Sequence, residues 1–128
     1  MRFLRSRIDS FRYAFAGFRT LVATQPNARI HLAATLLVTI SGIVFGISPP
    51  EWAMGLLAIG MIWMAEALNT SIEFLADEIT LERRPRIKVA KDVAAFGVLA
   101  CALVSTGIGL IVFLPHLRSL FEKLLPGP

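Results

Sequence analysis

With 128 residues, 55% of them hydrophobic and only 17% charged, the chain is too apolar for an ordinary soluble domain and short enough to form one domain. Its formal charge of +4 comes from basic blocks that flank apolar stretches, a placement that suits a membrane and argues against nucleic acid as a partner. Cys101 is the lone cysteine, which excludes an intrachain disulfide or a cysteine metal cluster, and it reads as a small packing residue.

Residues 3–22 have the pattern of an amphipathic helix lying on a membrane surface. Leu4, Ile8, Phe11, Phe15, Phe18 and Val22 recur at three- and four-residue steps, while Arg5, Arg12 and Arg19 recur every seven on the opposite side. Arg12 and Arg19 interrupt any apolar core that a secretory signal peptide would need. Gln25-Pro26-Asn27 breaks this helix, because proline disfavours a helical conformation at the residue before it.

A first span follows over 30–47, near the minimum length for crossing a bilayer. Gly42 and Gly46 make a GxxxG pair, a motif common in apolar segments and of little weight alone. His31, at the start of this span, reads as an interfacial histidine making local hydrogen bonds. Ser48-Pro49-Pro50-Glu51-Trp52 is a tight turn: proline is tolerated in a first helical turn, Glu51 suits the positive helix end, and Trp52 suits the interface.

The second span, 52–76, is apolar in its first half and acidic in its second. At about 100° per residue, Glu66, Asn69, Glu73 and Asp77 fall within an arc of roughly 80°. A carboxylate at membrane depth costs roughly 2.5–3.5 kcal/mol on the insertion scale, so a row of them needs a compensating role. The next loop, from Thr80 to Arg86, is strongly basic, with Pro85 as a stop signal; residues 93–114 form an uncharged third span that Pro115 ends, followed by a short tail from His116 to Leu125 and an irregular ending at Pro126-Gly127-Pro128. The whole chain, 1–128, reads as a single all-α membrane domain of three transmembrane helices behind a surface helix.

Loop charge gives the orientation. The N-terminal segment and the 82–91 loop carry eleven of the thirteen basic residues and lie on the same side, whereas the Ser48–Glu51 turn has none. The positive-inside rule then places the N-terminus and the basic loop in the cytoplasm. The acidic row becomes a ladder from the cytosol toward the membrane middle, with Glu66 roughly 16 Å deeper than Asp77.

Carboxylates beside an amide oxygen are hard ligands suited to Mg²⁺, and Arg83, Arg84, Arg86, Lys88 and Lys91 offer countercharge for phosphates. The deeper carboxylate could accept a proton from a hydroxyl. These parts suit phosphoryl transfer from ATP to a membrane lipid. No Gly-rich phosphate loop of either common kind is present, so such a kinase would bind its nucleotide differently. Near the surface, Asp77, Glu78 and Glu82 also read as simple partners of basic residues. On spacing alone, a proton-coupled small membrane transporter stands almost level with a lipid kinase.

The run Glu66-Ala67-Leu68-Asn69-Thr70-Ser71-Ile72-Glu73, followed by Asp77 and by Ala90-Lys91-Asp92-Val93-Ala94-Ala95, resembles the prokaryotic diacylglycerol kinase family. These are small three-span membrane enzymes that include undecaprenol kinases. Ser10-Phe11-Arg12-Tyr13-Ala14-Phe15-Ala16-Gly17 and Asn27-Ala28-Arg29-Ile30-His31-Leu32 match as well, so the resemblance runs from about Ser10 to Leu117.

The resemblance implies a bacterial inner-membrane enzyme, multi-pass, with its active site facing the cytoplasm and ATP and a lipid as substrates. It implies Glu66 as the catalytic base, Asn69 as a positioning residue, and Glu73 as the carboxylate holding the metal that carries the ATP phosphates. Asp77, Lys91 and Asp92 match nucleotide-binding positions, and Tyr13 and Gly17 lie in the surface helix that helps cover the nucleotide. A homotrimer with shared active sites is implied too. Gln25 stands where many members have a glutamate that helps hold a second metal; an amide can offer oxygen but lacks the charge. The Lys91–Ala95 run and Phe113-Leu114-Pro115 look more like the undecaprenol-kinase branch, although both diacylglycerol and undecaprenol stay open as acceptors.

Overall fold

A computed structural model describes residues 2–125, with side chains from Ser6 onward; the irregular ending expected at Pro126-Gly127-Pro128, and the Leu4 and Arg5 side chains, lie outside the described residues. Four helices follow in order: α1 (Arg2–Thr24), α2 (Pro26–Phe45), α3 (Pro49–Ile79) and α4 (Pro85–Leu124). The described residues contain no strand.

A proline opens each of the last three helices. Its missing N–H is no loss in a first turn, where that group has no helical partner, and its fixed φ suits the helix. Pro26 therefore ends α1 and starts α2 with a single extended residue between them, Gln25 at φ −104° and ψ 117°. Arg29 reaches back over this break: its Nε donates to the Val22 carbonyl at 3.0 Å and its Nη2 to the Ala23 carbonyl at 2.6 Å. A cation on the last carbonyls of a helix satisfies groups that lack an intrahelical partner.

The same logic corrects two expectations. Pro85 begins α4 rather than acting as a stop, so the basic loop shrinks to 80–84. Pro115 does not end the third membrane helix; α4 continues through it to Leu124. Proline removes one N–H from the ladder, and the residue after it is anchored from two sides. His116 Nε2 lies 3.0 Å from Glu51 Oε1, and its ring stacks on Phe45 with centroids 5.9 Å apart.

The α2–α3 hairpin shows why its glycines stand where they do. Gly46 has φ 62°, a left-handed conformation, and closes α2: its N–H bonds the Ile43 carbonyl and the next N–H, of Ile47, bonds the Gly42 carbonyl. Gly42 is buried, and a Cβ there would stand 2.9 Å from the Trp52 ring. The GxxxG spacing thus serves the turn: one glycine makes the bend and the other receives the indole. Across the turn, the Glu51 carboxylate accepts from both the hydroxyl and the N–H of Ser48, at 2.6 and 2.7 Å.

α3 is the central element and packs most closely on α4. Ala58 and Ile62 on α3 and Val98 and Val112 on α4 are small or branched and are buried. Ser105 Oγ donates to the Ala58 carbonyl at 3.1 Å, a polar link that lets the two backbones approach closely. Trp63 ties α3 to two other helices: its Nε1 donates to Thr35 Oγ1 on α2 at 3.0 Å, and its ring lies 5.2 Å from that of Phe18 on α1.

Most large apolar side chains stay exposed, among them Leu37, Leu57, Leu103 and Ile111. In water that surface would be costly, at roughly 25 cal/mol for each Å²; in lipid it is at home. α2, α3 and α4 are each long and apolar enough to cross a membrane, and the chain is an integral membrane protein. With 31 residues, α3 extends about 46 Å, well beyond a hydrocarbon core of about 30 Å.

Candidate active site

The acidic row lies on one face of α3, as its spacing requires, and its members differ in environment. Glu66 is 1% exposed, the most deeply buried large side chain among the described residues. Asn69 and Thr70, about one turn further along, are buried too. Glu73 is half-buried and accepts a hydrogen bond from Asn69 Nδ2 at 3.2 Å. Asp77 is exposed and accepts from Lys91 Nζ at 2.9 Å, joining the end of α3 to the start of α4. The face therefore grades from a sealed carboxylate to an exposed ion pair at the end of α3.

Polar atoms in the sealed part are left unpaired. Glu66 Oε2, Asn69 Oδ1, Thr70 Oγ1 and His31 Nε2 are all buried without a hydrogen-bond partner. Buried polar groups are nearly always satisfied, and each orphan costs about 1–3 kcal/mol. His31 Nε2, on α2, stands 4.0 Å from Glu66 Oε2.

Beside Thr70, α1, α2 and α3 border a groove of about 720 Å³, whose lining does not include Glu66, Asn69, Glu73 or His31. Gly17 and Phe18 line it from α1, and Trp63, Ala67, Thr70, Ser71 and Phe74 from α3. A Cβ at Gly17 would meet nothing within 4 Å, so its lack of a side chain leaves the wall open. Tyr13 stands elsewhere on α1, 72% exposed and outside the groove lining. Gln25 is the half-buried residue of the α1–α2 break and makes no capping bond. Asp92 accepts from Lys88 Nζ one turn back on its own helix, so of the Lys91-Asp92 pair Lys91 is the one linked to α3. Glu82 pairs with Arg84 at 3.6 Å, as a surface acid in the basic loop would.

Two members of the cluster are poorly signalled by the sequence. Thr70 lies one turn from Glu66, a spacing that places it beside the acid, but a threonine in an apolar helix usually bonds its own backbone. His31 is on another helix, so only the tertiary fold brings it to Glu66; its reading as an interfacial histidine making local hydrogen bonds does not include that approach.

A family model described as prokaryotic diacylglycerol kinase matches residues 12–113, taking in the groove, the acidic face and both ion pairs at its mouth. The chain belongs to the prokaryotic diacylglycerol kinase family. Two relatives agree with this. One, named undecaprenol kinase, from Bacillus subtilis, is 41% identical over 108 residues, which cover 84% of this chain and 88% of the relative. The other, named diacylglycerol kinase, from Synechocystis sp., is 34% identical over 112 residues, covering 87% of this chain and 64% of the relative. Membership in the diacylglycerol kinase family makes the chain a membrane lipid kinase, and the proton-coupled transporter is not favoured.

Proposed function

We propose that the chain transfers the γ-phosphate of MgATP to the hydroxyl of a membrane lipid at the cytoplasmic end of α3, with Glu66 as the base. The observation that carries this reading is the sealed, unpaired Glu66 carboxylate, set on one helical face with Asn69 and Glu73. A carboxylate with no partner is free to take a hydroxyl proton. As the O–H bond breaks toward Glu66 Oε2, the lipid oxygen forms a bond to the γ-phosphorus. The bond from that phosphorus to the β–γ bridging oxygen breaks, and ADP leaves with the electron pair.

Asn69 holds one oxygen of Glu73 and so fixes the direction of the other. Glu73, half in water, with the unpaired Asn69 Oδ1 beside it, is a hard-oxygen donor set that fits Mg²⁺. Among the described residues no three His, Cys, Asp or Glu side chains converge. Mg²⁺ usually takes one or two carboxylates and completes its shell from phosphate and water. Glu73 would hold it, with Gln25 as a weaker oxygen donor for a second ion. When bound, the ion neutralises charge on the phosphates. Lys91, oriented by Asp77, supplies a donor to phosphate at the mouth, and Asp92 with Lys88 flanks it. Gly17 and Tyr13 on α1 close over the nucleotide, Tyr13 by a rotation or movement of α1.

The acceptor is diacylglycerol or undecaprenol, and the 41% identity to a protein named undecaprenol kinase favours the second. The chain acts as one membrane domain in the bacterial inner membrane. The exposed apolar helix faces and the open side of the groove support a homotrimer with shared sites, and the basic blocks serve membrane and ATP, not nucleic acid. The deciding experiment is phosphorylation by the purified protein in micelles with radiolabelled ATP and each lipid in turn. Labelled undecaprenyl phosphate or phosphatidic acid is the expected product; label in neither rejects the reading.

A further inference from the structure

Trp63 stands about 16 Å along the axis of α3 from Trp52, far from the turn where a tryptophan suits the membrane interface. An indole N–H at that depth needs a partner within the protein, because lipid tails offer none. It finds one across the bundle. Trp63 Nε1 donates to Thr35 Oγ1 on α2 at 3.0 Å, and that hydroxyl in turn donates to the His31 carbonyl at 2.7 Å. The ring of Trp63 lies 5.2 Å from that of Phe18 on α1, tilted by 54°. Glu66 follows about 4.5 Å further along the same helix.

One half-buried side chain on α3 thus holds both α1 and α2, by contacts of different kinds. The contact with Phe18 is apolar and survives exchange for another aromatic ring. The bond to Thr35 is directional and is lost with the indole nitrogen. The first bears on α1, whose Gly17 lines the groove beside Phe18. The second bears on α2 and, through the bond from Thr35 to His31, on the turn that brings His31 Nε2 to 4.0 Å from the buried Glu66 Oε2.

We infer that Trp63 is a positioning residue: it ties the surface helix α1 and the His31 turn of α2 to the stretch of α3 that carries Glu66, so that closure of α1 over the nucleotide and the setting of the base are joined through one indole. This rests on the lipid-kinase reading and deepens it. Trp63 acts through Phe18 and Thr35, not by contact with the reacting atoms. When the bond to α2 is lost, the His31 turn can retreat and water can reach the Glu66 carboxylate, which slows transfer and leaves nucleotide binding alone. When the contact with α1 is lost, the nucleotide is uncovered and Glu66 keeps its surroundings.

The test uses the purified full chain in micelles, with dioleoylglycerol and undecaprenol as acceptors. Trp63→Phe keeps a ring against Phe18 and gives up the bond to Thr35. Its kcat should fall about fivefold to tenfold, the effect of one hydrogen bond, while the Kd for MgATP from calorimetry stays unchanged. Thr35→Val removes the same bond from the other side, so the double variant should lose no more kcat than Trp63→Phe alone. Phe18→Ala should do the reverse, weakening MgATP with kcat at saturation nearly intact. Trp52→Phe leaves Trp63 as the one tryptophan. Its emission should shift when magnesium AMP-PNP, a non-hydrolysable ATP analogue, is added, and Phe18→Ala should abolish that shift at saturating analogue. Normal kcat in Trp63→Phe, additive losses in the double variant, parallel losses of kcat and MgATP affinity in every variant, or a silent Trp63 at saturating analogue overturns the positioning role in a wild type that labels lipid. A wild-type protein that labels neither lipid overturns the kinase reading itself and this inference with it.

Discussion

Arg29 on α2 bonds the carbonyls of Val22 and Ala23 on α1, so a single guanidinium holds the surface helix to the membrane bundle across the break at Gln25. Both bonds are charge-assisted and exposed, and each such bond is worth up to about 1.5–3 kcal/mol before screening by solvent. Arg29→Ala should leave the three spans folded but free α1. Hydrogen exchange should speed up in α1 alone, with a raised KM for MgATP. Uniformly faster exchange through α3 would mean that Arg29 holds more than the surface helix.

Gly42 and Gly46 should fail for different reasons when substituted. Gly46→Ala forces a side chain into a left-handed conformation, at about 1–2 kcal/mol. Gly42→Ala places a Cβ 2.9 Å from the Trp52 ring, and overpacking of this kind costs about 1–3 kcal/mol. Thermal unfolding in detergent should show both losses. Adding Trp52→Leu should relieve Gly42→Ala and leave Gly46→Ala unrelieved.

Glu51, in the turn ahead of the second span, has its carboxyl held at about 2 by the Ser48 hydroxyl and N–H and then by His116, against an ordinary value of 4.5. A depressed value means that the contribution to stability is complete above about 4.5 and disappears as pH falls through about 2. Melting of the wild type in detergent should therefore fall between pH 5 and pH 2 by more than that of Glu51→Gln, which starts lower. Parallel curves for the two proteins would show that other groups govern the acid limb.

Helical periodicity made the acidic face legible from sequence: the bond from Asn69 to Glu73 is the contact that a four-residue step predicts. The prolines were legible as punctuation but not in sense. A proline that starts a helix and one that stops it look alike, and whether Pro115 ends α4 depends on His116 meeting Glu51 and Phe45 on other helices. For the same reason His31 could not be paired with Glu66 until α2 and α3 were packed. What repeats along one helix is readable; what meets across helices is not.

Orientation has its own check. With the basic loop in the cytoplasm, a cysteine introduced as Thr80→Cys at the end of α3 should react with a membrane-impermeant reagent only from the cytosolic side of inverted vesicles. Cys101 is half-buried within the third span and should stay silent as the internal control. Labelling of Thr80→Cys from the periplasmic side would remove the access to ATP on which the proposed reaction depends.

The division of labour on α3 can be read from kinetics. Glu66 and Glu73 lie about 10 Å apart along the helix axis, one sealed and the other half-buried. If Glu73 holds the metal of MgATP, Glu73→Gln removes a charged ligand, and nucleotide affinity should fall together with turnover. If Glu66 takes the hydroxyl proton, Glu66→Gln keeps the size and polarity of the side chain but removes the base. Turnover should then fall by about 10²–10⁴, the usual worth of a general base, while the Kd for MgATP stays nearly constant. Nucleotide binding measured apart from turnover, by calorimetry on the detergent-solubilised variants, separates the two cases. Near-normal kcat in Glu66→Gln would make that buried acid structural, and the base would then have to be Asp77 or Asp92. Both are already committed to lysines, Asp77 to Lys91 and Asp92 to Lys88, so either would have to break its ion pair before it could accept a proton.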